Sequence, residues 1–185
     1  MATLKPRDFI KTVFIDEVNA IINNHPYIAF MVMGVGIEFL GKSIDKSLTN
    51  WDTAHRSRKD FNDAIKNIPS LQKYEPFIDS HDIYSSLRCG LLHSAVPGHS
   101  ITLSSKTEAA HLLQDNGRLN LKVEDFYADF KLACEHVIAD AYPTDNKMEK
   151  PFIQVPGDNF NAGTNIATGS TQSIQITVMN TTSGI

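Results

Sequence analysis

Apolar residues return at helical spacing through residues 8–23, where Phe9, Val13, Val18, Ile21 and Ile22 share one side with Phe14 beside them. Asp16 and Glu17 fall on the other side, and His25-Pro26 predicts the end of this first helix, because the residue before a proline avoids helical backbone angles. A second helix is predicted over residues 27–46. It is apolar nearly all round (Ile28, Phe30, Met31, Val32, Val35, Ile37, Phe39, Leu40), as expected of a buried central helix, and Gly34, Gly36 and Gly41 permit close approach of its neighbours. Glu38 is the only charge between Pro26 and Gly41. A carboxylate in such surroundings needs a partner or a route to water. Arg88 is the first choice, because a guanidinium can satisfy a carboxylate bidentately.

A third helix is predicted over residues 53–68, closed by Pro69, with Ala54, Phe61, Ala64, Ile65 and Ile68 on its buried side. A linker with a short turn leads past Glu75-Pro76. Asp79 or Ser80 then offers an N-cap oxygen for a fourth helix, and Asp82 suits its positive end. Residues 100–104 alternate as a short strand. Residues 110–114 and 118–123 flank Asp115-Asn116-Gly117, and Asn-Gly between alternating apolar residues is the strongest short hairpin signal, with Leu119, Leu121 and Val123 on one face. A fifth helix over residues 124–141 buries Phe126, Phe130, Ala133, Val137 and Ala141, with Tyr127, Cys134 and Ile138 alongside; Tyr142-Pro143 ends it. From Thr144 the chain turns polar, and no charged residue follows Asp158. Within this tail, residues 173–179 (SIQITVM) alternate like a strand that could pair with an exposed sheet edge. The sum is a mainly α protein: a bundle of four to five helices, a small β-hairpin after the fourth, and a strand-like tail.

Composition narrows this picture. Apolar and charged fractions of 42% and 21% over 185 residues fit one ordinary globular domain plus an appendage. Cys89 and Cys134 have neither metal-ligand nor disulfide-framework spacing, so they are expected to be reduced thiols, and no metal or other cofactor is implied. The start MATLKPRDF lacks an apolar signal core, and the apolar run over residues 27–37 is far short of the ~20 residues that span a bilayer, so a soluble, cytoplasmic protein is expected. A net charge of −4 argues against indiscriminate nucleic-acid binding, since phosphate affinity comes from Lys and Arg. Any RNA contact needs a local basic patch. Residues 42–73 supply one, with Arg56, Arg58 and Lys59 at its centre, although a run of this kind is often only a solvated helix face.

Candidate chemistry gathers in residues 84–94, YSSLRCGLLHS, where a permanently charged Arg88 and a titratable His93 stand five apart in an otherwise apolar run. On a regular helix, at about 100° per residue, Ile83, Tyr84, Leu87 and Leu91 form the core stripe; Arg88 lies roughly 40° beyond its edge and His93 nearly opposite its centre. The two do not share a face on that geometry. Either the helix breaks near Gly90 and swings His93 round, or His93 points outward toward a second subunit.

Arg88 and His93 match the R-x(4–6)-H pattern, and GIEFLGK (residues 36–42) with LRCGLLHS (residues 87–94) is similar to the two main helices of HEPN (higher eukaryote and prokaryote nucleotide-binding) domains. The resemblance covers residues 8–142 and departs beside the arginine, where many active members carry a polar residue and this chain has Cys89. It implies a HEPN-like helical domain over residues 1–143, with the hairpin inserted around 100–123, followed by a polar tail or β-arm over 144–185. It also implies a homodimer whose motifs meet in one cleft.

Two functions follow from the resemblance. The first is a metal-independent endoribonuclease of toxin or defence type, a hydrolase leaving 2′,3′-cyclic phosphate ends. His93 would be its general acid or base and Arg88 its phosphate contact, with Glu38, Tyr84 and Ser85 in support and Arg56, Arg58 and Lys59 holding RNA. The second is a non-catalytic helical module that dimerises or docks on an antitoxin or nucleotidyltransferase-like partner, with Arg88 as structural partner of Glu38. The acidic net charge and Cys89 favour the second; the intact Arg-His pair favours the first.

Overall fold

The computed structural model describes residues 5–48 and 54–141. The chain is mainly helical with one small three-stranded sheet. Helix α1 (residues 6–21) passes from α-helical Pro6–Phe9 through π-helical Ile10–Glu17 into α-helical Val18–Ile21. Helix α2 (Pro26–Ile44) begins with its proline at the first position, where a missing N–H costs nothing. Helix α3 (Ser57–Asn67) leads into a 3₁₀ turn (Pro69–Tyr74) and the short α4 (Phe77–Ser80); helix α5 (Tyr84–Ser94) is π-wound. Then come β1 (Ile101–Ser104), β2 (Gln114–Asp115), β3 (Arg118–Lys122) and α6 (Val123–Ala141).

Helix α2 packs against α1, α3, α5 and α6, as its nearly uniform apolarity predicts. The glycines set the distances. A Cβ on Gly41 would lie 1.8 Å from the Asp60 carbonyl oxygen of α3, and one on Gly36 would lie 2.4 Å from the Phe130 ring of α6. Phe30, Phe61, Phe126 and Phe130 are at most 1% exposed. Burying such a side chain is worth roughly 1.5–3 kcal/mol, well above the few tenths that separate most helix propensities. Packing therefore decides which segments stay helical. Phe14 joins Phe9, Phe39 and Phe130, while Tyr74 meets Phe126, so the 3₁₀ turn between α3 and α4 is part of the core.

The sheet has the order β1-β3-β2. Its hairpin turns at Asn116-Gly117, both at positive φ (49° and 73°), the requirement of a type I′ turn, and Asp115 pairs with Arg118 across it. Leu119, Leu121 and Val123 are all buried, the shared face that their alternation predicts. Strand β1 runs parallel to β3, with Ile101 opposite Leu119.

Several boundaries differ from the sequence expectations. Helix α3 starts at Ser57, because His55 sits in the left-handed region (φ 60°), and Ala54 is exposed. Neither Asp79 nor Ser80 caps α5; both lie in α4, and Asp82 Oδ1 accepts the Ser85 N–H at 3.3 Å. Residues 110–113 are not strand, since Leu112 is left-handed (φ 62°). The apolar stretch is also longer than the run over residues 27–37 indicates: α2 is long and apolar enough to cross a membrane by length and composition. More than half of that span is buried within the protein, in the manner of a core helix. The tail expected over residues 144–185 lies outside the described residues.

Candidate functional site

Helix α5 carries the motif and is wound so that backbone hydrogen bonds run from residue i to i+5. The wider turn brings side chains five apart closer together round the helix axis than the 3.6-residue turn of an α-helix does. This winding, neither a break at Gly90 nor a regular helix, is what brings Arg88 and His93 together: Arg88 Nη1 lies 3.3 Å from His93 Nε2. The core stripe survives, with Ile83, Tyr84, Leu87 and Leu91 buried. The end of the helix is tightly wrapped. Ala95 turns left-handed (φ 51°), Val96 N donates to Gly90 O at 3.3 Å, and a Cβ on Gly90 would meet Val96 O at 2.6 Å.

Across the interface with α2, Arg88 Nη2 lies 2.8 Å from Glu38 Oε2, and Lys42 Nζ lies 3.3 Å from Glu38 Oε1. The contact is single, not the bidentate fork expected. Its angle is also poor, so that Glu38 Oε2 and Arg88 Nε are both buried without an aligned hydrogen bond. Attraction between close opposite charges, at low exposure of both side chains, holds the pair. A Cβ on Gly34 would sit 3.5 Å from Arg88 Cα, an ordinary contact, so α2 and α5 run close together at this point. Because a guanidinium only donates, the Arg88–His93 bond requires a lone pair on His93 Nε2.

Tyr84 forms the floor. The Arg58 guanidinium stands 4.6 Å from its ring centroid and that of Arg88 5.9 Å. Burial, and then the neighbouring Cys89, raise the Tyr84 hydroxyl above the usual phenol range, so it stays protonated. Arg58 Nη2 donates to Ser85 Oγ and Nη1 to Asp82 Oδ1, both at 2.6 Å. Burial of Asp82 opposes its ionisation, but Arg58 and Ser85 outweigh it and hold the carboxyl below its ordinary value. Glu38, Arg58, Tyr84, Ser85, Arg88 and His93 thus form one cluster, joined by Lys42 and Asp82.

Arg56 and Lys59 do not belong to it. Arg56 donates to Asp45 and to Asp60, which is fully buried, and Lys59 pairs with Asp63. The spacings Arg56–Asp60 and Lys59–Asp63 are the i,i+4 signal for such pairing, and Glu38–Lys42 carries the same signal. These two cations stitch α3 to its surroundings and leave the basic patch with Arg58 and Lys42 at the site.

The site opens beside apolar surface: Tyr27, Ile28, Leu92 and Val96 are exposed, and Tyr27 Oη donates to Ala95 O at 2.6 Å. A separate polar cleft of about 420 Å³ lies between the ends of α2, α3 and α6, lined by Asp45, Lys59, Asp63, His136 and Asp140 among others, and contains neither Arg88 nor His93. Among the described residues no group of three or more His, Cys, Asp or Glu side chains could hold a metal ion. Compared with models of protein families, with curated proteins and with solved structures, the chain matches none of them.

Proposed function

We propose that this chain is a cytoplasmic, metal-independent endoribonuclease of HEPN type. One observation carries the proposal: an arginine anchored by a buried carboxylate holds its guanidinium 3.3 Å from an exposed histidine, at the end of a helix whose winding brings them together. The chemistry suits RNA because the substrate brings its own nucleophile. His93 Nε2 accepts the proton of a ribose 2′-hydroxyl, the 2′-oxygen attacks the adjacent phosphorus, and the bond to the 5′-oxygen breaks. The products are a 2′,3′-cyclic phosphate and a free 5′-hydroxyl, the latter taking up a proton from an acid on the opposite side. Arg88 Nη1, which His93 occupies at rest, turns to the phosphoryl oxygens as charge builds there. Arg58 and Lys42 stand in the same cluster, and because Asp82 and Glu38 face them, the three cations Arg58, Lys42 and Arg88 against two carboxylates leave one net positive charge for the phosphate backbone.

The opposite-side acid is most simply the His93 of a second copy. The exposed Leu92 and Val96 flank His93 in sequence, and Tyr27, bonded to Ala95 O, and Ile28 are exposed at the start of α2; such apolar surface suits a homodimer. The same patch, with Arg88 held by Glu38, also favours the second reading: a non-catalytic module that docks on an antitoxin or nucleotidyltransferase-like partner.

The test is incubation of the purified chain with a pool of unstructured RNAs in EDTA. Cleavage leaving 2′,3′-cyclic phosphate ends, lost in His93→Ala and in Arg88→Lys, is the expected result. RNA left intact by the wild type at all concentrations that give a dimer overturns the ribonuclease reading and leaves the module.

A further inference from the structure

Far from Arg88, four elements meet on a second titratable group that nothing above uses. His111 lies in the loop between β1 and β2, and its ring is sealed on both sides. The Lys122 backbone N–H donates to His111 Nδ1 at 3.0 Å, and His111 Nε2 lies 2.7 Å from Tyr74 Oη. Tyr74 Oη in turn donates to Asp129 Oδ2 at 2.6 Å, and Lys73 Nζ donates to Asp129 Oδ1 at 2.7 Å.

The proton positions follow from donor counting. An Nδ1 that accepts a backbone N–H carries no hydrogen, so the neutral ring has its proton on Nε2. That proton points to Tyr74 Oη, whose own hydrogen goes to Asp129. Every position in the chain Lys122 N–H, His111, Tyr74, Asp129, Lys73 is then filled once. A second proton on the ring would sit on Nδ1 and face the Lys122 N–H, two donors without an acceptor between them.

We propose that His111 is an acid-released latch: neutral, it pins the loop of residues 105–111 to β3 and to the Tyr74–Asp129 pair, and protonation lets that stretch go. Other bonds hold the two ends of the loop. Lys106 N bonds Glu124 Oε1 and Lys106 Nζ bonds Asn23 O at one end; at the other, Asn120 Nδ2 bonds Ala110 O, Leu112 N donates to Asn120 O and Asn120 N to Leu113 O, the last two at 2.8 Å, while residues 106–110 are exposed. Lys106 and Leu112 are held at positive φ (51° and 62°), a conformation that non-glycine residues keep only when their neighbours impose it.

The charged groups around the ring divide. Asp129 and Asp125 of α6 favour a protonated ring; Lys73 of the 3₁₀ turn and Lys122 of β3 oppose it. Burial outweighs the carboxylates and moves His111 below its ordinary value, and Asp129 is already committed to Lys73 and Tyr74. The sign follows. The unfolded or opened loop binds a proton at higher pH than the latched one, so the latch is complete above the ordinary imidazole value near 6.5 and weakens as pH falls below it.

The experiment is NMR on the full chain between pH 7.5 and pH 5. The expected result is a neutral Nε2–H ring for His111 at pH 7.5, and a Lys122 amide whose protection factor falls up to about tenfold per pH unit from about pH 6.5 down to the pH at which the ring itself titrates. His111→Asn, which keeps an acceptor for the Lys122 N–H but does not titrate, removes that slope. A neutral ring protonated on Nδ1, protection unaffected by pH in the wild type, or an unchanged slope in the variant overturns the proposal. If the variant does not fold, the wild type decides: loss of Lys122 protection that begins near pH 6.5 and levels off once the His111 ring has itself titrated supports the latch, and protection that stays level over that interval overturns it.

Discussion

Glu38 Oε2 and Arg88 Nη2 lie 2.8 Å apart between α2 and α5, on side chains that are 9% and 14% exposed. Removing the carboxylate leaves the Arg88 charge enclosed with a buried Nε that already has no hydrogen-bond partner. Glu38→Ala is therefore expected to cost about 3 kcal/mol, the lower part of the range for breaking a buried pair, since part of Arg88 still reaches water. For a chain of this size that is a fall in Tm of roughly 6–12 °C. A calorimetric scan in which Glu38→Ala melts within a degree or two of the wild type would show the pair to be idle.

His93 and Arg88 should separate cleanly in a paired measurement of stability and activity. His93 is exposed at the end of α5, and its ring is bonded to Arg88 alone among the bonds that involve the core site. His93→Ala is expected to change stability by no more than about 0.5 kcal/mol while removing at least about 10²-fold of any RNA cleavage. Arg88→Ala is expected to lose both, because Glu38 then stays buried with only Lys42, at 3.3 Å, beside it. Urea titrations of the two variants next to a cleavage assay check this. Equal losses of stability would mean that His93 is part of the packing and not of the chemistry.

Two glycines of α2 should respond unequally to alanine. At Gly41 the new methyl would fall 1.8 Å from the carbonyl oxygen of Asp60, and a backbone carbonyl in α3 cannot step aside without moving its helix. At Gly36 the obstruction is the far edge of the Phe130 ring at 2.4 Å, which a change of rotamer relieves in part. Overpacking typically costs about 1–3 kcal/mol; Gly36→Ala is expected inside that range and Gly41→Ala above it. Thermal melts of the two variants rank them, and the reverse order would mean that α3 is free to slide along α2.

What was legible in the chain was whatever a local rule could carry. Asn116-Gly117 fixes a turn by backbone geometry alone, and a single glutamate in an apolar helix demands a cation, so the hairpin and the Glu38–Arg88 pair both follow from spacing and composition. The winding of α5 did not, because reading a helix from its stripe assumes 3.6 residues per turn, and the stripe Ile83, Tyr84, Leu87, Leu91 is equally buried in the π form. What accompanies the wider turn is tertiary: the chain folds back so that Gly98 N bonds Ser86 O at 2.8 Å and Val96 N bonds Gly90 O at 3.3 Å, with no room for a side chain on Gly90. The His111 network was hidden for a related reason. Its members come from a 3₁₀ turn, a loop, a strand and a helix, and Tyr74 and Asp129 are separated by 55 residues. Arg56 and Lys59 were the opposite case: their i,i+4 carboxylates were visible in the sequence, and the pull of a basic cluster toward RNA obscured them.

Asp45 predicts the acid limb of stability. It ends α2, where its carboxylate accepts the Ser47 N–H at 2.9 Å and the Ser47 hydroxyl at 2.5 Å, and it meets Arg56 from the start of α3. The Ser47 hydroxyl first, and then Arg56, hold this carboxyl well below the usual aspartate range. A folded-state pKa below the unfolded one means that the unfolded chain takes up the proton first. The stabilisation is thus complete above about pH 4 and is lost as pH falls through and below that value. Asp82, held down by Arg58 and Ser85, adds to the loss in the same direction. Asp45→Asn should lower stability at pH 7 and flatten the decline between about pH 4 and pH 2, since the amide cannot titrate. Urea midpoints across that interval measure both effects. A decline of unchanged steepness in the variant would assign the acid sensitivity to other carboxylates and remove Asp45 from the account of how α2 is tied to α3.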